Sequence, residues 1–404
     1  MINLSLLRIG VLIAKLGFLV NVILFFGFFS TYFVFVFHIL RHVIPSADDL
    51  LKVQALLNFV IAITLLLSSF FIHKINKLHF IYTSSILIMA MTFLLLFVPN
   101  ELIKLTIIFV IGIFFGIGLL VFFTYFWNLT VPEERGRIAG LIGFVALPLE
   151  FVVDYLVAPS LDFFGTIILS IVISSGILLV VLLRPQKAVL TAKKNERGNF
   201  FEKRTVLLYS IPWILFSVIN VILAKNISIN ILQQVSSSFY MSLMGLQIIG
   251  VVFGAMVGGI VADFFGLRLS LALSLTLYGT SAALGGIFIN NEILYFVYIA
   301  NGLGWGILFV LYMFVVWGDL ANKDNCAKMY SIGLIIYFST VGIGLLTQIS
   351  IPIVASSLIS CLLVFFSNIP IALAPELLPS DFRERIKLRL HVNAVKRISK
   401  RNHG

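Results

Sequence analysis

Twelve predominantly apolar runs, each 20 or more residues long, follow one another along this chain with mostly short polar breaks between them. A run of that length matches a hydrocarbon layer about 30 Å thick. In lipid every backbone N–H and C=O must be satisfied within the segment, so the runs are read as helices. Of the 404 residues 60 % are hydrophobic and 11 % charged, against about 25 % charged in ordinary globular chains. Mean hydropathy is +1.11. The predicted fold class is an all-α polytopic membrane protein with twelve transmembrane helices. The spans fall at 14–39, 53–72, 79–98, 103–128, 138–159, 163–183, 206–230, 238–262, 269–290, 293–317, 329–349 and 352–374. The first continues for more than 20 residues with no small-residue cleavage site, so no cleavable signal is expected.

Two longer polar segments divide the chain: Arg184 to Arg204, and the tail from Pro375 onward. The domains expected are a six-helix bundle at 1–183, a basic linker at 184–205, a second six-helix bundle at 206–374 and a basic tail at 375–404. If the N-terminus is cytoplasmic, 24 of the 28 Lys and Arg lie on that side, leaving Arg41, Lys52, Lys104 and Lys225 for the other. That bias predicts both termini inside, in a plasma (cytoplasmic) membrane. The net charge of +11 is then topology and contact with anionic headgroups. Nucleic-acid binding would need a folded basic domain, which the sequence lacks. The tail carries Leu388, Val392 and Val395 at helical spacing among cations, which fits either an interfacial helix or a solvated basic tail. Cys326 and Cys361 offer neither a disulfide framework nor metal-ligand spacing.

The most informative loop is GAMVGGIVADFFGLRL, Gly254 to Leu269. Gly254, Gly258 and Ala262 place small residues on one helix face and let another backbone approach closely. Asp263 follows at a helix C-terminus, where a carboxylate opposes the helix dipole; it is better placed capping another helix or meeting a cation such as Arg268. Gly266 supplies a permissive backbone for the reversal. An internal repeat supports a duplication: an offset of 190 aligns Gly112 with Gly302, Gly116 with Gly306 and Trp127 with Trp317. Shifted by one, it pairs Arg137 with Lys328.

The pattern Gly259-x-x-x-Asp263-x-x-Gly266-x-Arg268 resembles the cytoplasmic-loop signature of the major facilitator superfamily, found there between the second and third helices of a six-helix half. Pro132-Glu-Glu-Arg135-Gly-Arg137 with Gly140 is similar to a second loop of that family. The resemblance implies two pseudo-symmetric six-helix bundles around a central cavity that opens alternately to each side. It also implies gating roles for Gly259, Asp263, Gly266, Arg268, Arg135 and Arg137, with Asp263 and Arg268 holding an inward-closed arrangement at the ends of spans eight, nine and eleven. In the first half the corresponding loop has Ser69, His73 and Asn76 for Gly259, Asp263 and Gly266, and the fifth span lacks the glycine-rich, proline-terminated antiporter pattern.

Glu150 and Asp154 are four apart on the fifth span. Two carboxylates that close in a low-dielectric site do not both ionise easily, so the pair is the candidate for carrying a coupling proton or cation. The alternative for Asp154 is an ion pair with Lys225 across the halves. The resemblance implies that spans one, four, seven and ten line the cavity. Their polar residues at helical spacing are the substrate-binding candidates: Asn21 and Tyr32, Trp213, Ser217 and Asn220, and Asn301, Trp305 and Tyr312. Such a wall suits a neutral or amphipathic organic solute, and the alternative is ordinary helix packing. The 39 Phe are read as lipid-facing bulk. His38 and His42 lack a third ligand, so an interfacial place is expected. Asn226-Ile-Ser228 fits a glycosylation acceptor, and Asp319 and Asp324 are expected to serve Lys323 and Lys328. No phosphate-binding loop or nucleophile–base set is present in the sequence. The function expected is a monomeric secondary transporter of a small organic solute, ion- or proton-coupled, without cofactor or metal. The alternatives are efflux of hydrophobic compounds, and a sensor or lipid scramblase on the same fold.

Overall fold

The computed structural model describes residues 16–182, 203–287, 291–347 and 351–377. The linker through 202, the tail beyond 377 and the side chains of Lys225 and Asn226 lie outside the described residues. So, therefore, do the tail helix, the Lys225 pairing and the glycosylation acceptor expected from sequence. Among the described residues the regular elements are all helical. They are α1 Leu19–Val43, α2 Ala47–Ser68, α3 Lys77–Leu94, α4 Glu101–Leu129, α5 Pro132–Ser160, α6 Phe163–Leu182, α7 Lys203–Gln234, α8 Ser237–Phe265, α9 Leu267–Ile287, α10 Glu292–Leu320, α11 Cys326–Leu346 and α12 Ile353–Leu373. Eleven are long and apolar enough to cross a membrane; α6 has a shorter apolar stretch, Phe163–Leu179.

Side-chain caps, rather than hydropathy, mark where several helices begin. Asn100 accepts from Leu102 N–H at 2.9 Å and starts α4, and Ser236 accepts from Phe239 N–H at 3.3 Å and starts α8. Ser46 caps α2, which begins at Ala47 instead of 53, because the turn holding Asp48, Asp49 and Lys52 is already helical. Likewise α5 starts with Pro132 in its first turn, well before 138. Between α8 and α9 the reversal is a single residue, Gly266, whose φ of 107° no side chain adopts without strain.

The helices pack as two bundles with matching contacts. In the first, α2 packs on α4, α3 on α4 and α6, and α1 on α5 and α6; in the second, α8 packs on α10, α9 on α10 and α12, and α7 on α11 and α12. The 190-residue offset holds for contacts as well as residues. A Cβ on Gly112 would collide with Leu57, and one on Gly302 with the Gln247 backbone. A Cβ on Gly116 would lie 3.3 Å from the Ile61 carbonyl oxygen, and one on Gly306 would collide with that of Val251. Leu57 and Gln247, like Ile61 and Val251, are themselves related by the same offset.

Between the bundles, α5 packs on α8 and α2 on α11, two contacts that exchange under the same pseudo-symmetry. Helix α8 serves both purposes with small residues on two faces. Gly250, Gly254 and Gly258 approach Ile299, Leu303 and Ile307 of α10, inside its own bundle, while Gly259 faces Gly136 and Gly140 of α5 across the seam. A methyl at Gly140 would sit 2.8 Å from the Ala255 carbonyl oxygen.

The two kinds of glycine predict opposite stability effects. Gly302→Ala drives a methyl into the Gln247 backbone and is expected to cost about 1–3 kcal/mol. Gly245→Ala, with nothing within 4 Å, is expected to be neutral or to stabilise by up to about 1 kcal/mol. Thermal midpoints of the detergent-purified variants check this; equal shifts for both would contradict the close approach of α8 and α10.

Candidate functional site

At the end of the molecule that carries the α4–α5, α8–α9 and α10–α11 turns, here the basic end, polar contacts tie the bundles together. Asp263 is 3 % exposed. Its Oδ1 accepts from the Gly136 N–H at 2.9 Å, and its Oδ2 from the Arg137 N–H and Nε at 2.9 Å each. Backbone N–H groups reach it because Gly136 and Gly259 have no side chains between the helices. Arg137 also donates to the Glu133 carbonyl at 3.0 Å and lies 5.5 Å from the Phe264 ring centroid. The cation expected for Asp263 was Arg268, and the structure gives Arg137 instead. Arg268 turns away to donate to the Ile371 and Ala372 carbonyls at the end of α12, while Glu376 accepts from the Leu267 and Arg268 N–H groups at the start of α9. Arg268 and Gly266 thus bind α9 to α12 within one bundle, and the contacts of the loop involve spans five, nine and twelve instead of nine and eleven.

A second cross-seam pair joins Arg135, 2 % exposed, to Asp319 of α10. Arg135 Nε also donates to Thr130 Oγ1 at 3.1 Å. The sequence reading assigned Asp319 to Lys323 and Lys328; the turn at the end of α10 instead points it into the seam. Beside it Trp127 Nε1 donates to the Gly318 carbonyl at 2.8 Å, again from one bundle to the other.

Inward of these contacts the seam is filled with phenylalanine, which corrects the reading of Phe as lipid-facing bulk. Phe314 of α10 has its ring centroid 5.0 Å from Phe25, 5.2 Å from Phe123 and 5.0 Å from Phe126. All four are almost wholly buried. Phe309 reaches Phe29 at 5.9 Å. Each such pair adds about 0.5–1.5 kcal/mol beyond its buried area. Other Phe side chains, such as Phe97, Phe296 and Phe365, are exposed as a lipid-facing residue would be.

On the other side of this plug lies a cavity of about 260 Å³ between α1, α5, α7, α8, α10 and α11. Helix α4 does not reach it, contrary to the expectation for spans one, four, seven and ten. The pair Glu150 and Asp154 lies on its wall. Ser30 Oγ donates to Glu150 Oε2. Glu150 Oε1 is buried and meets no hydrogen-bond donor among the described residues. Asp154 bonds His38 Nε2 at 2.8 Å, and both side chains are mostly buried, at 13 % and 15 % exposure. His42 sits edge-on to Phe163. No group of three or more His, Cys, Asp or Glu side chains among the described residues is placed to hold a metal ion.

Of the eight substrate-binding candidates, Asn220 and Trp305 line the cavity. Trp305 Nε1 donates to Asn220 Oδ1 at 3.0 Å and its ring stacks on Phe309 with centroids 4.6 Å apart. Asn301 stands one bond behind the wall, accepting from the lining residue Gln247 at 2.8 Å. Five lie elsewhere. Tyr32 donates to Asn58 at 2.7 Å and stacks on Phe115. Trp213 donates to the Gly333 carbonyl at 2.8 Å and stacks on Tyr312, with centroids 4.7 Å apart. Ser217 and Asn21 are buried and absent from the lining. Gln247, Ser30, His38 and Tyr337 were not read as site residues. For Gln247 the signal was present, as a lone amide facing glycines in an apolar run.

No family model matches the sequence, and no curated protein is similar enough to match it. Solved structures do match. One is a bacterial homologue of the iron transporter ferroportin in an outward-facing state, with TM-score 0.65 and 15 % identity over 89 % of this chain and 98 % of that one. Another is the E. coli fucose:proton symporter FucP, with TM-score 0.62 and 13 % identity over the same shares. FucP in the outward conformation, described as a major facilitator superfamily transporter, gives TM-score 0.65 and 12 % identity over 89 % and 98 %. The chain has the major facilitator fold. Its twelve helices, two bundles and seam follow that fold through nearly its whole length, as an integral membrane protein.

Because the basic-end contacts are buried, weakening them should be visible without any substrate. Removing one partner of a buried ion pair costs about 3–5 kcal/mol. Cys326, 6 % exposed at the start of α11, is a native reporter for that end. Asp263→Asn is expected to speed maleimide labelling of Cys326 at least about tenfold without speeding that of Cys361; an unchanged rate would mean the pair does not hold the end shut.

Proposed function

We propose that this protein is a secondary transporter that carries a small organic solute across its membrane by alternating access, and that the arrangement described is its state closed at the basic end. The observation that carries the reading is the uneven seam: buried ion pairs and packed Phe on one side, a cavity with two carboxyl groups on the other. A solute held in the cavity can leave on the far side only after Asp263–Arg137 and Arg135–Asp319 part, so the same bonds that seal one entrance must be remade each cycle. The similarity to a fucose:proton symporter and to an iron-transporter homologue, both outward-facing or of that fold, supports this reading. By the positive-inside rule the basic end faces the cytoplasm, in the plasma membrane. The protein acts as a monomer, since each chain contains a full seam.

Glu150 is the coupling group in this reading. A carboxylate at membrane depth is tolerable when a proton or a cation neutralises it. The groups that face it are Ser30 and, through Asp154, His38 of α1, with Tyr155 and Tyr337 on the same wall; no Lys or Arg is among the lining residues. A proton taken up at Glu150 would therefore respond to pH without a fixed positive partner.

Two measurements in proteoliposomes test the cycle. Once a carried solute is found, Asp263→Asn is expected to slow turnover while leaving solute affinity largely intact; lost affinity with normal turnover would remove the gating role. Across a pH series, Glu150→Gln is expected to flatten the dependence of flux on pH, and an unchanged profile would take the proton away from Glu150.

A further inference from the structure

From the chemistry of the cavity wall we infer that the solute is an organic cation with an aromatic or bulky apolar body, and that Glu150 is its counter-charge. This rests on the transport reading only for the word solute; the binding claim stands on the wall itself. Nine of the lining residues are aromatic: Phe25, Phe26, Phe29, Phe33, Phe151, Tyr155, Trp305, Phe309 and Tyr337. The ionisable side chains among them, besides the two tyrosines, are Glu150 and Asp154. Asp154 already has His38 as partner. Glu150 is held on one oxygen by Ser30, and its other oxygen, Oε1, is buried and without a donor among the described residues. An anion would meet two carboxyl groups and the negative faces of rings, with no Lys or Arg among the lining residues to offset them. A neutral polyol would find one end of each lining amide already engaged, Asn220 Oδ1 by Trp305 and Gln247 Nε2 by Asn301, and no hydrogen-bonding need of its own would call for the full charge of Glu150.

A cation satisfies both features at once. Trp305, stacked on Phe309 at 10° from parallel, is covered by that ring on one face only, and aromatic faces attract an ammonium or guanidinium desolvated beside them. The carboxylate supplies the full opposite charge that makes burying such a cation affordable in low dielectric. The cavity, at about 260 Å³, is smaller than the roughly 300–1,000 Å³ of drug-sized sites, which favours a single-ring amine or quaternary ammonium over a large dye. A proton and this cation are alternative neutralisers of one carboxyl group, so they compete for it.

The test uses the full chain purified in detergent and radiolabelled benzyltrimethylammonium, with neopentylbenzene as its neutral isostere and benzenesulfonate as the anionic control. Saturable binding of the cation is expected, displaced by other small aromatic amines and by neither control. Glu150→Gln keeps side-chain size and can still accept from Ser30; it is expected to weaken binding at least about tenfold, while Trp305→Leu weakens it by about 3- to 30-fold. Cation binding equalled by the neutral isostere, or unchanged in a Glu150→Gln protein of wild-type thermal midpoint, overturns the inference, as does no binding by any amine in the series. Flux separates it from the transport reading. Selective cation binding with no flux into proteoliposomes keeps the site and removes the transporter; flux of a neutral or anionic solute with no cation binding does the reverse.

Discussion

One carboxylate of the second bundle, Asp263, is held by two peptide N–H groups and a guanidinium of the first, and the closed seam depends on that contact. Taking a carboxylate out of water costs several kcal/mol, so such a bond adds little net stability to a fold. Its value lies in being all or nothing. The peptide N–H groups of Gly136 and Arg137 are in reach only while α5 and α8 touch through Gly136, Gly140, Ala255 and Gly259. A side chain's width of separation would take both peptide N–H groups out of reach of the carboxylate. The Arg135–Asp319 pair and the Trp127 bond to Gly318 lie in the same layer and stand or fall with it.

The duplication sharpens what is special about that layer. The pseudo-symmetric counterpart of the α5–α8 contact is α11 against α2, and there the acid is gone. Lys328, the counterpart of Arg137, lies 5.5 Å from the Phe70 ring, and Phe70 is 58 % exposed. An exposed cation–π contact contributes about 0.5–1 kcal/mol, far less than a buried pair loses on breaking. The α2–α11 contact also continues to the opposite end, where a Cβ on Gly342 would lie 3.2 Å from the Ala55 carbonyl oxygen. One side of the seam is thus uniform and weakly bonded along its length. The other is held by buried ion pairs at one end and parted around the cavity at the other.

The layout of this protein was legible because membrane helices announce themselves by length and because the repeat survives at positions where only glycine fits. Gly112 and Gly302 remain for the same reason in both halves, the backbone or side chain of the neighbouring helix lying where a Cβ would be. The pairing of Asp263 was half legible: its need for a helix cap and a cation follows from its place at a helix end. Which cation it finds depends on whether α8 lies nearer α5 or α12, and that is set by stripes on α5 that no pattern within the loop itself reveals. Phenylalanine was misread because hydropathy does not distinguish a ring in lipid from a ring between two bundles.

The cavity wall was the least legible part, and the helices themselves supply the reason. Asp154, Asn220, Tyr312 and His38 all lie in π-helical turns, at Val152–Val157, Ile219–Leu223, Leu311–Val316 and Val34–Ile39. Such a turn inserts a residue, so a face counted at 3.6 residues per turn is rotated beyond it. Trp305 lines the cavity, while Tyr312, about two turns further toward the basic end, is buried against Trp213. The widened turn also alters which backbone groups are satisfied within the helix, and Gln54 of α2 donates to the Val36 carbonyl of the first turn at 2.6 Å. The His38–Asp154 bond joins two of these turns, one on α1 and one on α5, at the rim of the cavity. Single π-turns inside α-helices are frequent at functional sites, and here they fall on the elements that carry the cavity's acids and one of its amides.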